Sequence, residues 1–158
     1  MVAFASILYG CIPVPYKELD APRIRGVLQR GDIPLVRTNV YLSAAQGRKD
    51  CDNYNIVTKT NDSGEFEIGP VKESHFVIWL VAIGDPYASW DLCVEMDGKR
   101  HEILGQGGIG FSVETLLVKC DVARNKEIDS EFDAWPKIFG RCELIHNNTL
   151  KRDVNLPR

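Results

Sequence analysis

Apolar and polar residues alternate along one stretch of this chain, and a two-residue turn interrupts the alternation. In Trp90–Met96, "WDLCVEM", the apolar side chains occupy every second position and share one face. This period of two is that of a β-strand, and the Asp97-Gly98 pair that follows is a strong signal for a two-residue hairpin turn. Residues 99–104, "KRHEIL", supply the returning strand. The stretch therefore predicts a β-hairpin with Asp97 and Gly98 at its tip.

Further segments of this kind predict an all-β domain. Other short strands are expected at residues 23–30, 38–44, 55–60, 65–68, 75–83 and 114–122. Turn residues separate them, and no strand alternates with helices in the manner of a βαβ unit. About seven short strands joined by turns are typical of a β-sandwich. The expected core residues include Val40, Leu42, Phe66, Ile68, Ile78, Leu80, Trp90 and Leu92.

A family resemblance covers residues 23–85. The segment "IRGVLQRGDIPLVRTNVYLSA", followed by "TKTNDSGEFEIGP", resembles the carboxypeptidase regulatory-like domain, a transthyretin-like (prealbumin-like) sandwich. The likeness lies mainly in the strand Ile24–Gly26 and in the run Thr60–Phe66. Gly64 suits a positive φ at the turn in that run, and Asp62 suits a hydrogen bond to its own backbone there. The resemblance implies an accessory module that binds or supports other proteins.

The chain contains five cysteines. None forms a CxxC pair, so nothing supports a zinc ribbon or a thioredoxin-like motif. With Cys11 set aside, the other four allow two disulfides, in any of three connectivities, in an oxidising compartment. Alternation puts Cys93 on the polar face of its strand, within reach of a loop that holds Cys51. Cys120 lies on an apolar face, and Cys142 falls in a segment able to fold back over it, so we predict the pairs Cys51–Cys93 and Cys120–Cys142.

The segment Leu8–Cys11, "LYGC", resembles the lipobox of bacterial lipoproteins, in which an apolar and a small residue precede the lipidated cysteine. The resemblance implies cleavage before Cys11 and a lipid anchor on that residue. Ile12 replaces the aspartate that often retains lipoproteins in the inner membrane, which favours the periplasmic face of the outer membrane. Residues 1–10 carry no Lys or Arg, whereas a signal peptide has a cationic start. An upstream start codon would supply one; the alternative is an N-terminal strand with a buried cysteine.

These features divide the chain into three parts. We expect residues 1–22 to be a signal remnant and a proline-rich tether, because prolines favour an extended linker. Residues 23–146 form the single sandwich with a short C-terminal extension, and residues 147–158 form a tail. The longest later apolar run, Phe76–Ile83, is far shorter than a membrane-spanning helix.

Charge and motifs argue against several functional classes. The net charge of −3 and the pI of about 5.6 offer no basic surface for nucleic acid. The glycine-rich segment 105–110 matches GxGxxG, but β-like residues follow it, so we interpret it as a flexible loop rather than a dinucleotide site. Neither an HExxH motif nor a G-x-S-x-G motif occurs. The sequence therefore predicts no catalytic residue, no metal site and no cofactor.

The remaining interpretation is a non-enzymatic envelope lipoprotein. Its strand edges and loops would bind another envelope protein, because exposed edges are natural sites for pairing with a partner strand. One alternative is an immunity-type protein that neutralises a periplasmic effector, which a neighbouring toxin gene would indicate. A second alternative is a small hydrolase-like enzyme, which a cleft with His75 or His101 beside a carboxylate would indicate.

Overall fold

The computed structural model describes residues 14–44, 51–77, 87–109, 112–124 and 137–145, and within these ranges the chain is all-β. The strands are β1 (Val14–Ala21), β2 (Arg23–Arg30), β3 (Ile33–Pro34), β4 (Asn39–Ser43), β5 (Ile56–Lys59), β6 (Glu65–Ile68), β7 (Val71–Val77), β8 (Tyr87–Met96), β9 (Lys99–Ile109), β10 (Thr115–Asp121), β11 (Lys137–Gly140) and β12 (Cys142–Leu144).

The described strands form two five-stranded sheets and one strand pair. The front sheet has the order β11-β9-β8-β4-β5 and is antiparallel throughout. In the back sheet β12, β10 and β2 lie side by side, and β6 and β3 pair with the other edge of β2. β10 runs parallel to β2, which brings Thr115 opposite Arg23. The remaining pair, β1 and β7, is antiparallel.

A single hydrophobic core joins the two sheets. Inward side chains of β2, β6 and β10 belong to the same cluster of buried residues as those of β4, β8 and β9. This arrangement is consistent with a β-sandwich. Ile78 and Leu80 lie outside the described residues. The other predicted core residues are confirmed, each at most 6 % exposed: Val40, Leu42, Phe66, Ile68, Trp90 and Leu92.

The prediction of a proline-rich tether before residue 23 is wrong for residues 14–21, which form a strand. Val14–Ala21 forms β1, which pairs with β7 from Val14 opposite Val77 to Ala21 opposite Val71. Ala21 is fully buried. Among the described strands β1 pairs with β7 alone, and an edge without a neighbouring strand accepts a proline, which has no backbone N–H. The ordered domain therefore includes residues before the predicted boundary at 23.

The β8–β9 hairpin is longer than predicted. Asp97 and Gly98 have φ values of 52° and 71°, as a two-residue type I′ turn requires, and Met96 pairs with Lys99. This confirms the predicted turn. β9 then continues to Ile109, so the described part of the glycine-rich segment is not a loop but a strand paired with β8 and β11.

Asn61, and not Asp62, stabilises the turn between β5 and β6. Gly64 has φ 75°, as predicted. Oδ1 of Asn61 accepts hydrogen bonds from the backbone N–H groups of Ser63 and Glu65, each at 2.9 Å. An Asx turn uses the side chain of its first residue, which is Asn61 here. The side chain of Asp62 is instead 85 % exposed.

Candidate functional site

Both predicted disulfides are present. Cys51 and Cys93, whose Cα atoms are 5.8 Å apart, link a loop to β8. Cys120 and Cys142 link β10 to β12 at directly opposed positions. Cys93, which alternation placed on a polar face, is fully buried, because the loop that carries Cys51 covers that face. Cys11 lies outside the described residues.

Hydrogen bonds as well as the disulfide hold the loop Cys51–Asn55, which we call the stapled loop, against the front sheet. Oγ of Ser43 donates to the carbonyl oxygen of Asn53 at 2.7 Å. Oδ1 of Asn55 accepts from the backbone N–H of Ala44, also at 2.7 Å. These contacts to the end of β4 fix the second half of the loop, whereas the disulfide fixes its first residue. A loop ordered in this way loses little further entropy on binding a partner.

Arg100, on β9, contacts both the stapled loop and the front sheet. Its Nη1 donates to the carbonyl oxygens of Cys51 and Asp52, at 3.2 and 3.3 Å. Its guanidinium carbon lies 4.5 Å from the ring centroid of Tyr41 and 4.9 Å from that of Tyr54. The two rings meet edge to face, with centroids 4.7 Å apart. A guanidinium that lies over two aromatic rings is stabilised by cation–π attraction to both.

Glu95, opposite Arg100 in the β8–β9 ladder, completes the site. The hydroxyl of Tyr41 and the amide of Asn39 donate to its Oε2 at 2.6 and 2.7 Å. These two bonds hold the pKa of Glu95 below its ordinary value, and the charge of Arg100 acts in the same direction. The Glu95 bond also raises the pKa of Tyr41. Glu95 is thus a carboxylate, and Tyr41 a neutral donor, at neutral pH.

Two of the exposed residues of the stapled loop carry an aromatic ring and a negative charge. Tyr54 is 41 % exposed although its ring is packed against Tyr41 and Arg100. The side chain of Asp52 is 85 % exposed. Tyr and Arg are enriched among the residues that dominate binding energy at protein interfaces. The arrangement is therefore chemically suited to recognition: a pre-ordered aromatic ring beside an acidic group.

Within the described ranges, no three His, Cys, Asp or Glu side chains are grouped as ligands for a metal ion. His101 is exposed on β9, the backbone of His75 belongs to β7, and His146 lies outside the described residues. In the same part of the chain, no helix is long and apolar enough to cross a membrane.

Sequence reasoning missed Tyr41, Tyr54, Glu95 and Arg100, although two signals were available for three of them. A two-residue turn at 97–98 fixes the hairpin register, and that register places Glu95 directly opposite Arg100. Alternation also puts Tyr41 on the face of β4 opposite to the core residues beside it. The contacts of Tyr54 with Tyr41 and Arg100 depend on the path of a loop, which the sequence pattern does not reveal.

No known protein family, curated protein or solved structure matches the chain in any of the three comparisons made. The site is therefore interpreted from its own geometry. The transthyretin-like resemblance over residues 23–85 stays a prediction, whereas the all-β architecture is observed directly.

Proposed function

We propose that this chain is a non-enzymatic bacterial envelope lipoprotein whose β-domain binds a partner protein through the stapled loop. The observation that carries the proposal is the loop's double attachment: the Cys51–Cys93 disulfide and the Arg100 contacts hold it rigid, yet Tyr54 and Asp52 remain exposed.

The energetics favour recognition by such a loop. An exposed aromatic ring that is already ordered contributes contact area at low entropic cost, since Tyr has only two side-chain torsions. Asp52 adds a charge at the periphery, where charges mainly govern encounter rate and partner choice. The resemblance to carboxypeptidase regulatory-like domains supports the same role, because such domains are usually accessory modules.

The proposed location is the periplasmic face of the outer membrane, with a lipid anchor on Cys11. Two disulfides are expected in an oxidising compartment such as the periplasm. The lipobox-like segment before Cys11 supports the anchor. Membrane fractionation of wild type and Cys11→Ala, expressed with the upstream codons, tests it; identical fractionation of the two would reject the anchor.

Site-specific photocrosslinking in the bacterial envelope tests the binding function. A benzophenone amino acid replaces Tyr54 in one variant and Val113, which is 38 % exposed, in a matched control variant. We expect a protein adduct of one defined mass from position 54 and none from position 113. Asp52→Lys should weaken the adduct. The same pattern from both positions, or no adduct from position 54, would overturn the proposal.

A further inference from the structure

A cleft of about 370 Å³ lies where the β1–β7 pair meets the back sheet. Residues from β1, β2, β7 and β10, and from the connections next to them, line this cleft: Leu19, Arg23, Pro70, Lys72, Glu114 and Thr115. All of them belong to the described part of the chain. The volume is at the lower end of the range for sites that bind small molecules.

Strand pairing fixes the walls of the cleft. In the β1–β7 ladder Leu19 lies directly opposite Lys72, and in the β2–β10 ladder Arg23 lies directly opposite Thr115. The backbone N–H of Arg23 also donates to the carbonyl oxygen of Glu114 at 3.0 Å. Because these lining residues belong to paired strands or are hydrogen-bonded to them, the cleft is formed before a ligand arrives.

Two short connections pack tightly against each other beside the cleft. Pro22 alone joins β1 to β2, and Gly69 and Pro70 join β6 to β7. A Cβ atom at Gly69, whose φ is +81°, would clash with the carbonyl oxygen of Pro22. A glycine at this position therefore allows the two connections to approach closely, which fixes the β1–β7 pair against the edge of the back sheet.

The two cationic residues of the cleft keep hydrogen-bond donors for a ligand. Glu67 is bound by both Nε and Nη2 of Arg25, at 2.9 and 3.1 Å. Nε of Arg23 approaches the same carboxylate only to 3.6 Å, which is longer than a hydrogen bond. Lys72 is exposed, and among the described residues it forms no ion pair within 4 Å. Arg23 and Lys72 are therefore both able to bind an anionic group.

Glu114 adds a negative charge to the lining. It is exposed next to Thr115, and it forms no ion pair within 4 Å with any described residue. Two cations and one carboxylate around a small cleft complement a ligand that carries a carboxylate group and an ammonium group. A phosphate dianion is a poorer match, because Glu114 repels it.

We infer that the cleft binds a small zwitterion of the amino-acid type, up to the size of a dipeptide. Arg23 and Lys72 bind its carboxylate group, and Glu114 binds its ammonium group. The cleft belongs to the back sheet and the β1–β7 pair, whereas the stapled loop lies against the front sheet. The site therefore adds a second binding function that does not depend on the proposed partner.

An NMR titration of the oxidised, isotope-labelled protein with alanylalanine tests the site. We expect saturable shifts of the amide signals of the residues that line the cleft, with a millimolar dissociation constant. The N-acetylated dipeptide lacks the ammonium group, and the dipeptide amide lacks the carboxylate; each should bind about fivefold more weakly. The absence of saturable shifts, or inorganic phosphate that binds as tightly as the dipeptide, would overturn the inference.

Substitutions that remove single charges assign the roles of the residues. Arg23→Gln and Lys72→Gln should each weaken the binding of alanylalanine about fivefold. Glu114→Gln should weaken the binding of alanylalanine but not that of its N-acetylated form. Lys119→Gln, at an exposed position farther along β10, is the matched control and should leave the affinity unchanged.

Circular dichroism establishes that each variant is folded, and if Arg23→Gln fails to fold, Lys72→Gln and Glu114→Gln decide the outcome. Equal weakening by Lys72→Gln and Lys119→Gln would overturn the inference, because binding would then follow net charge and not position. None of these outcomes affects crosslinking from position 54, so this site and the proposed partner binding fail independently.

Discussion

The hydroxyl of Tyr41 donates a 2.6 Å hydrogen bond to Oε2 of Glu95, so the ionisation of that carboxyl reports on the site beneath the stapled loop. Tyr41→Phe removes this donor and leaves the bond from Asn39 in place. We expect the pKa of Glu95 to rise toward its ordinary value in the variant, because the strongest interaction that favours the carboxylate is gone. An NMR titration that follows the Glu95 side-chain carbonyl measures the change. Tyr54→Phe keeps the Tyr41 hydroxyl and should leave the titration of Glu95 unaltered.

The lowered pKa of Glu95 also predicts how the stability difference between the wild type and Tyr41→Phe depends on pH. The folded-state pKa of Glu95 is lowered, so its contribution is present above the unfolded-state pKa and is lost as the pH falls through the folded-state pKa. The free energy of unfolding of Tyr41→Phe should therefore fall furthest below that of the wild type at neutral pH, and the two should converge in acid. A difference that widens as the pH falls would contradict this assignment.

Removal of either disulfide should destabilise the fold by an amount that follows loop length. Cys51 and Cys93 are 42 residues apart, and Cys120 and Cys142 are 22 apart. The chain-entropy model gives a loss of about 4 kcal/mol for the first double alanine variant and about 3 kcal/mol for the second. Urea unfolding of each variant against the oxidised wild type measures both losses.

The two disulfide variants also serve as controls for each other. Hydrogen exchange within the stapled loop, Cys51–Asn55, should accelerate strongly when Cys51 and Cys93 are replaced. It should change little, relative to global stability, when Cys120 and Cys142 are replaced, because that bridge joins two strands of the back sheet. Equal acceleration of hydrogen exchange in the loop in both variants would mean that the Cys51–Cys93 disulfide does not order the loop.

Thr60, directly after β5, is joined to the segment 35–38 through one buried hydroxyl. The residue is 3 % exposed, its Oγ1 donates to the carbonyl of Leu35 at 2.6 Å, and it accepts from the N–H of Thr38 at 2.9 Å. Thr60→Val keeps the shape but leaves both backbone groups without that partner. We expect the free energy of unfolding to fall by about 2–3 kcal/mol. Thr60→Ser retains the hydroxyl and should cost only about 1 kcal/mol for the lost methyl group; equal losses would exclude the hydrogen bonds as the cause.

Local patterns predicted the parts of this fold that depend on neighbouring residues. The Asp97-Gly98 turn and the alternation in β8 correctly indicated the hairpin, because both follow from backbone geometry within a few residues. The Cys51–Cys93 pair was also predicted correctly. Alternation placed Cys93 on the polar face of its strand, and a loop that contains Cys51 was able to cover that face.

Contacts between distant segments were beyond such patterns. Prolines favoured a free tether for Val14–Ala21, yet this segment gains hydrogen bonds by pairing with β7. The parallel pairing of β10 with β2 leaves no local signal, because a parallel ladder needs a long crossover and not a turn. The contact between Arg100 and Tyr54 depends in turn on where the stapled loop lies.

The parallel pairing of β2 with β10 leaves no room for a side chain at Gly26. A Cβ atom at position 26 would lie 2.4 Å from the carbonyl oxygen and 2.5 Å from Cγ2 of Val118, its partner in β10. The carbonyl belongs to the backbone of the adjacent strand, so β2 and β10 would have to separate to admit even a methyl group. We expect Gly26→Ala to lower the free energy of unfolding by about 3 kcal/mol through overpacking. Gly98→Ala is the matched control: no atom lies within 4 Å of its added Cβ, and its φ of +71° should cost only about 1 kcal/mol. Thermal and urea unfolding of the two variants rank them, and a Gly26→Ala protein as stable as Gly98→Ala would show that β10 does not lie against β2 at this position.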